Sequence, residues 1–171
     1  MMELWDLYDG NRQLLGRLQK RGEHIKRGDY HIVVDIWTVN SKQEILLTLR
    51  DPNKECFPNL WENSAGSILA GETSVQGAVR ELFEETGIKA EENELNFLGE
   101  LKEETAFIDT YIIRKDVEIS ELVMQESETV DAQWVTLGKL DEMINSGMIA
   151  EPVGTRLIPL RKAFEKFLFS K

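Results

Sequence analysis

The sequence predicts an α/β (α+β) fold, an α/β/α sandwich around a mixed β-sheet, and three observations lead to that expectation. Strand-like segments lie both before and after one well-marked central helix, and further helical segments come late in the chain. This order differs from the regular alternation of a parallel βαβ array. The length of 171 residues suits a single domain, 1–171, and the lone Cys56 excludes an internal disulfide.

Strands are predicted to dominate the first 50 residues. An extension over about residues 1–30 is expected to form a strand and hairpin, because the partly apolar segment 3–9 precedes a Gly10-Asn11 turn. The segment 31–39 is rich in β-branched and aromatic residues, and a polar turn joins it to a similar segment at 44–50. These features predict a second hairpin over 31–50.

The clearest helix is predicted over 74–86. Thr73 and Gln76 have the spacing of a capping box, and Gly87 provides a stop at the other end. Apolar residues recur at helical spacing and define one stripe, made of Val75, Ala78, Val79, Leu82 and Phe83. Gly77 lies inside this helix, where glycine costs about 1 kcal/mol relative to alanine.

The remaining segments complete the predicted sandwich. Residues 51–64 contain two prolines and are expected to be mostly loop, leading into a short strand near Trp61. Later elements are predicted as strands over 94–104, 106–115 and 131–137 and as helices over 138–147 and 155–169. The C-terminal helix contains Pro159, and its apolar side is formed by Leu157, Leu160, Phe164, Phe167 and Leu168.

The charge balance narrows the range of partners. The chain has 31 acidic and 20 basic residues and a formal net charge of −11, which repels nucleic acid and anionic membranes. The start MMELWDLYDG lacks the basic and apolar regions of a signal peptide, and no apolar run is long enough to span a bilayer. We therefore expect a cytoplasmic protein with no nucleic-acid or membrane partner.

Three glutamates of the central helix point to a metal site. Glu81, Glu84 and Glu85 share one helix face, well round from the apolar stripe. Neighbouring carboxylates raise one another's pKa unless a cation neutralises them, and Mg²⁺ and Mn²⁺ prefer such oxygen ligands. The alternative is an ordinary solvated helix face, on which the positive charge of Arg80 offsets the repulsion between the glutamates.

The wider spacing around this cluster resembles the signature of the Nudix hydrolase family, the Nudix box, over residues 66–88. The matching positions are Gly66, Glu72, Arg80, Glu81, Leu82, Glu84, Glu85, Gly87 and Ile88. The resemblance implies an α/β/α sandwich that hydrolyses a nucleoside diphosphate linked to another group, with Mg²⁺ or Mn²⁺ as cofactor. The expected substrate is a small-molecule diphosphate, and a homodimer is a further family-level expectation.

The same resemblance implies a role for each residue of the box. Glu81, Glu84 and Glu85 would bind metal, and a backbone carbonyl at Ala65 or Gly66 would add a ligand. Glu72 and Arg80 would form an ion pair that braces the loop against the helix. Metal ions would neutralise charge at phosphorus and activate the attacking water. A glutamate would remove the proton, either from this group or from a later loop.

Residues outside the box are further candidates. Glu128, six residues before Trp134, is the candidate base in a later loop, with Glu126 as its reserve. Arg50, Phe57, Trp61 and His31 are candidates for contacting substrate. The four tryptophans, Trp5, Trp37, Trp61 and Trp134, are expected mainly in the core. His24 and His31 are expected to serve structure or substrate contact, because isolated histidines rarely bind metal.

Much of residues 3–137 also resembles the Nudix subgroup related to isopentenyl-diphosphate isomerase. His24 and His31 have the spacing of two metal-binding histidines of that enzyme. However, Ala65 stands where the isomerase has its catalytic cysteine, and Ser67 where it has a histidine. Glu104 is present, but Ala106 fills the position of a catalytic glutamate. Hydrolysis is thus favoured, with isomerisation and non-catalytic nucleotide binding as alternatives.

Overall fold

The computed structural model describes residues 3–170, which form nine strands, three α-helices and two short 3₁₀ turns. The strands are β1 (Leu4–Tyr8), β2 (Leu14–Lys20), β3 (His31–Val39), β4 (Ile45–Arg50), β5 (Trp61–Glu62), β6 (Ser64–Ser67), β7 (Asn96–Lys102), β8 (Ala106–Arg114) and β9 (Thr129–Val135). The helices are α1 (Ser74–Thr86), α2 (Leu137–Asn145) and α3 (Glu151–Leu168), and the 3₁₀ turns are Glu92–Glu94 and Ile119–Glu121.

A seven-stranded mixed sheet forms the centre of the fold, as the sequence predicts. Its strands run in the order β5-β4-β3-β8-β7, while β6 pairs with β3 and β9 pairs with β4. The β3–β8 pair is parallel over nine residues, and the other pairs are antiparallel. The predicted 31–50 hairpin is paired only at Val39 and Ile45, because β6 takes the edge of β3 beyond that point.

Two apolar clusters lie on opposite sides of this sheet. Alternate residues of β3 supply them: Ile36 faces the α1 side, whereas Trp37 faces α2 and α3. Burying such large side chains on both faces explains why β3 reads as an almost continuous apolar run. None of the helices within residues 3–170 combines the length and apolar character needed to cross a bilayer.

Helix α1 has the predicted ends, but one residue of its predicted stripe is exposed. The Thr73 side chain accepts from the Gln76 N–H, Gln76 accepts from the Thr73 N–H, and Gly87 adopts φ 75°. Ala78 and Leu82 are fully buried, whereas Phe83 is 49% exposed. The contact with the sheet is narrower than the stripe, so Phe83, about 100° beyond Leu82, faces away from it.

Gly77 has a packing reason that the helical pattern did not reveal. A Cβ at this position would lie 2.4 Å from Cγ2 of Ile68, which belongs to the segment after β6. Only glycine therefore allows α1 to approach that segment so closely. The close approach fixes the helix against the loop that precedes it.

Several late boundaries differ from the predictions. Helix α3 begins at Glu151 rather than 155, with Pro152 in its first turn, where a missing N–H costs nothing. Pro159 lies within α3 on an exposed face. Strands β7 and β9 and helix α2 are also shifted or shortened, since turns occupy Glu92–Glu94 and Thr136 caps α2.

The N-terminal hairpin, β1–β2, forms a separate two-stranded sheet anchored to the central one. The sequence did not single out β2. Arg12, in the turn of the hairpin, donates to Asp109 Oδ1 at 2.7 Å and also pairs with Glu100. Tyr8 and Tyr30 exchange backbone hydrogen bonds of 2.8 and 2.9 Å. These contacts hold the hairpin over one end of the sheet, next to α1.

Candidate active site

A cleft of about 330 Å³ lies where the N-terminal hairpin, β6 and α1 meet the loop before β9. Its lining residues are Glu3, Trp5, Arg21, Val33, Arg50, Lys54, Ala65, Gly66, Ser67, Glu81, Glu84, Glu85, Gln125 and Glu128. A larger cavity of about 550 Å³ lies between α2 and α3, with a mainly apolar wall that contains none of these glutamates. The smaller cleft therefore contains the candidate chemistry.

The three box glutamates lie together on the cleft wall but differ in exposure. The Glu84 side chain is 46% exposed, whereas that of Glu81 is only 15% exposed. Glu85 is half-buried, and its Oε2 accepts from the Ala65 N–H at 3.3 Å. Their spacing of three and four residues places all three on one face of α1, beside the face that carries the buried Ala78 and Leu82.

Arg80 and Glu72 connect this helix to the loop before it. Arg80 donates to both Glu72 oxygens at 2.8 and 2.9 Å and to the Ser67 carbonyl at 3.1 Å. Glu72 also accepts from the Leu69 N–H at 2.8 Å. Although burial opposes it, hydrogen bonding by Arg80 holds the pKa of Glu72 below its usual value. This ion pair therefore braces the loop on α1.

The remaining Arg80 donor is shared by two box glutamates. Nη1 donates to Glu81 at 2.8 Å and to Glu84 at 3.0 Å. Burial nevertheless raises the pKa of Glu81, and it raises that of Glu85 well above normal, with the charges of Glu62 and Glu81 adding to the effect. One guanidinium does not neutralise this group of carboxylates.

The donor set fits a hard divalent cation. Carboxylate oxygens are the ligands that Mg²⁺ and Mn²⁺ prefer, and a cation would reverse the raised pKa of Glu85. A Cβ at Gly66 would lie 2.1 Å from the carboxyl carbon of Glu81, so glycine makes room for that carboxylate. Over residues 3–170, no three His, Cys, Asp or Glu side chains already stand close enough to hold a metal. Glu81 and Glu84 are instead turned towards Arg80.

Glu128 lies in the same cleft, on the loop before β9. Its carboxylate pairs with Lys54, and its carbonyl accepts from the Asp51 N–H at 2.9 Å. The structure thus places two loops, 51–60 and the one that ends in Glu128, beside each other at the cleft. Glu126, the reserve candidate, is exposed and does not line the cleft.

The four candidates for substrate contact are placed differently from one another. Arg50 lines the cleft, but it donates to both Glu62 oxygens at 2.8 Å and to the Cys56 carbonyl at 3.0 Å. Phe57 is exposed, and Trp61 packs against the α3-side core; neither lines the cleft.

His31 is buried beneath Trp5, which stacks on it with ring centroids 4.3 Å apart. Burial lowers the pKa of His31 to about 4, so the ring is neutral near pH 7. His24 is exposed in the segment after β2. Trp37 and Trp5 belong to the core as expected, whereas Trp134 is only half-buried.

Sequence reasoning missed several cleft residues. Glu3, Trp5 and Arg21 come from the N-terminal hairpin, Lys54 from the loop after β4, and Gln125 from the loop before β9. None belongs to a recognisable spacing pattern, because tertiary contacts alone bring them to α1. The concentration of basic residues after β2 was an available signal for Arg21.

Comparison with known proteins places this geometry in a family. The model of the NUDIX domain matches residues 29–151, which is more than half of the chain. The chain belongs to the Nudix family. Nudix enzymes hydrolyse pyrophosphate linkages and generally use divalent metals. The matched region contains the whole Nudix box and Glu128.

Individual relatives agree with the family assignment. The chain is 40% identical over 147 residues to an uncharacterised Nudix hydrolase of Listeria monocytogenes, covering 85% of this chain and 87% of that protein. The crystal structure of DR0079 from Deinococcus radiodurans superimposes with a TM-score of 0.75 at 22% identity, covering 94% of this chain and 98% of that one. This likeness shows the Nudix fold.

The isomerase resemblance is confirmed at the level of partial sequence similarity. An isopentenyl-diphosphate Delta-isomerase of Pectobacterium atrosepticum is 36% identical over 84 residues, which covers 48% of this chain and 46% of that protein. The cleft, however, has Ala65 and Ser67 on β6 in place of the thiol and imidazole expected of that enzyme. Cys56 is exposed and does not line the cleft.

Proposed function

We propose that this Nudix enzyme is a divalent-metal-dependent hydrolase of a small organic diphosphate, such as a nucleoside diphosphate derivative. The observation that carries the proposal is the group of three glutamates on α1, with Arg80 as their one basic contact within residues 3–170. Such a group is costly unless a cation joins it, and a bound diphosphate needs the same cation. The proposal thus explains why α1 carries three neighbouring glutamates and why they line a cleft.

Glu81, Glu84 and Glu85 would hold Mg²⁺ or Mn²⁺, together with the carbonyl of Ala65. When bound, the ion would neutralise phosphate charge and lower the pKa of a water molecule. The ion pair of Arg80 and Glu72 holds the loop carbonyl and the helix carboxylates in fixed positions relative to one another. Gly66 leaves the space into which the Glu81 carboxylate turns.

Glu128 would accept the proton of the attacking water. It lies in the same cleft as the box glutamates, and its ion pair with Lys54 fixes its position there. Lys54, which also lines the cleft, can approach a phosphate oxygen as well. Arg50 supports this wall through Glu62.

The test is turnover of a chemically diverse diphosphate panel with Mg²⁺ or Mn²⁺. The panel should include nucleotide sugars, dinucleotides, nucleoside triphosphates and isoprenoid diphosphates, with phosphate and nucleotide release as readouts. We expect hydrolysis of at least one compound, abolished by EDTA and restored by added Mg²⁺. A folded protein that turned over none of them would contradict the proposal.

The two alternative functions have different signatures. Isomerisation would convert isopentenyl diphosphate to the dimethylallyl isomer without releasing phosphate. A binding module would show a ligand-dependent rise in melting temperature without turnover. Homodimer formation and a cytoplasmic location stay predictions from the sequence.

A further inference from the structure

Positive charge is concentrated in one segment of this acidic protein. Residues 17–27, which end β2 and continue into the following loop, contain five basic residues and one acid, a net charge of +4. The other 160 residues contain 15 basic and 30 acidic residues, a net charge of −15. The five basic residues are Arg17, Lys20, Arg21, Lys26 and Arg27. A local field of this sign attracts anions to its neighbourhood.

One member of this segment reaches the cleft. Arg21 lines it together with Trp5 of the same hairpin, and the cleft is also lined by Lys54 and Glu128 from two other loops. The docking of the hairpin on the sheet through Arg12 and Asp109 holds Arg21 in this position. The positive segment and the carboxylate wall of α1 therefore border the same cleft.

Arg21 is also the most readily available cation of the cleft. Its side chain is 62% exposed, and its one ion pair within residues 3–170 is with the exposed Glu3, at 2.9 Å. Exposed pairs of this kind contribute little, so an incoming phosphate can replace Glu3. Arg50 is instead held by Glu62 in a largely buried pair, in which both carboxylate oxygens accept from Arg50 Nη1.

We infer that Arg21 binds an anionic group of the substrate other than the scissile diphosphate, and that this group is a phosphate monoester. The inference rests on the proposed function and narrows its substrate class. The scissile diphosphate is expected beside Glu81, Glu84 and Glu85, where metal neutralises its charge. A guanidinium at the hairpin side of the cleft suits a further phosphate, which it contacts with two parallel hydrogen bonds. An apolar isoprenoid tail would leave this cation unused.

Binding of nucleoside monophosphates tests the inference without needing turnover. Kd is measured by calorimetry, at fixed Mg²⁺, for 5′-AMP, adenosine 2′,5′-bisphosphate and adenosine 3′,5′-bisphosphate. We expect at least one bisphosphate to bind about tenfold more tightly than 5′-AMP, the gain typical of one charge-assisted contact. Arg21→Gln should reduce that ratio to about twofold or less, and Arg21→Lys should keep part of it.

Lys162→Gln is the matched control, because it removes one positive charge from an exposed position on α3. It should retain the wild-type ratio. A wild-type ratio below about twofold, or an equal loss in both Gln variants, would overturn the inference. Failure of the diphosphate panel with the ratio intact would refute only the proposed hydrolysis. Turnover without any effect of Arg21→Gln on the ratio would refute only the role of Arg21.

Discussion

Helices α1 and α3 pack on opposite faces of the same sheet, but they treat charge in opposite ways. On α3, Arg161 is bonded to Asp141 and Glu165, and Arg156 to Glu103, so both arginines have acidic partners. On α1, three glutamates share one Arg80, and the pKa values of Glu81 and Glu85 are raised. This difference indicates that the ion pairs of α3 serve stability, whereas α1 keeps an excess of negative charge that a ligand can neutralise.

Among the variants that test this comparison between α1 and α3, Glu85→Gln should have the largest effect. The change keeps the shape of the side chain but removes a charged oxygen ligand, so turnover should fall by a factor on the order of 10³–10⁴. The same direction is expected for Glu84→Gln. Steady-state kinetics on the best substrate of the panel would measure both.

Glu92→Gln is the control for these variants, since Glu92 is exposed in the 3₁₀ turn after α1. It should leave turnover within about twofold of the wild type, because it contacts neither metal nor substrate. Unchanged turnover in both Glu84→Gln and Glu85→Gln would remove these residues from the mechanism.

Phe164→Ala should destabilise the packing of α3 without changing catalysis. Phe164 is fully buried and meets Trp37 edge to face, with centroids 5.1 Å apart. Its removal leaves a cavity and should lower the free energy of unfolding by about 3–5 kcal/mol, with kcat unchanged below the melting temperature. Urea titration measures the loss.

Ile158→Ala, on the exposed face of the same helix, provides the control. Ile158 is 74% exposed, and its truncation should change the free energy of unfolding by less than about 0.5 kcal/mol. A loss in Phe164→Ala no larger than that in Ile158→Ala would show that the buried face of α3 does not carry its contribution to stability.

His31 refines this comparison between the charged cleft and the packed core, because it lies near the cleft but is buried like a core residue. Its folded pKa of about 4 lies below the usual value of 6.5, so its neutral form stabilises the protein above pH 6.5. That contribution is lost as the pH falls towards 4, and it amounts to about 3 kcal/mol. His31→Phe keeps the stacking on Trp5 and should lose less stability than the wild type between pH 7 and 4.

Urea unfolding of both proteins across this range would measure the difference. Parallel profiles would mean that His31 binds its proton equally well in the folded and unfolded states. Subtracting the two profiles also cancels the opposite contribution of Asp35, whose burial raises its pKa to about 6.

Gly77→Ala should have the smallest effect of the series. Alanine improves helix propensity by about 1 kcal/mol, but its Cβ would collide with Ile68, so we expect a net loss of about 1–2 kcal/mol. Gly138→Ala, in α2, meets no atom within 4 Å and should be neutral or slightly stabilising. Thermal melts should therefore show a lower melting temperature for Gly77→Ala and an equal or slightly higher one for Gly138→Ala. A stabilised Gly77→Ala variant would contradict the packing role of Gly77.

The Nudix box was the part of the candidate site most readable from the chain. Its members are close in sequence, so helical geometry alone brings Glu81, Glu84 and Glu85 to one face and joins Glu72 to Arg80. Arg50 shows the limit of such reasoning. It is a candidate for contacting substrate and lines the cleft, but no spacing pattern indicated that Glu62, twelve residues later, is its partner in the folded protein.

Local sequence determined the long strands, the capped helix α1 and the carboxylate cluster, because periodicity, capping and spacing act between near neighbours. The tertiary structure decided which loops meet that cluster, and so brought Trp5, Arg21, Lys54 and Glu128 to one cleft. It also decided that His31 is buried and that Gly77 faces Ile68. Such contacts depend on how the sheet folds back on itself, and no spacing along the chain records that geometry.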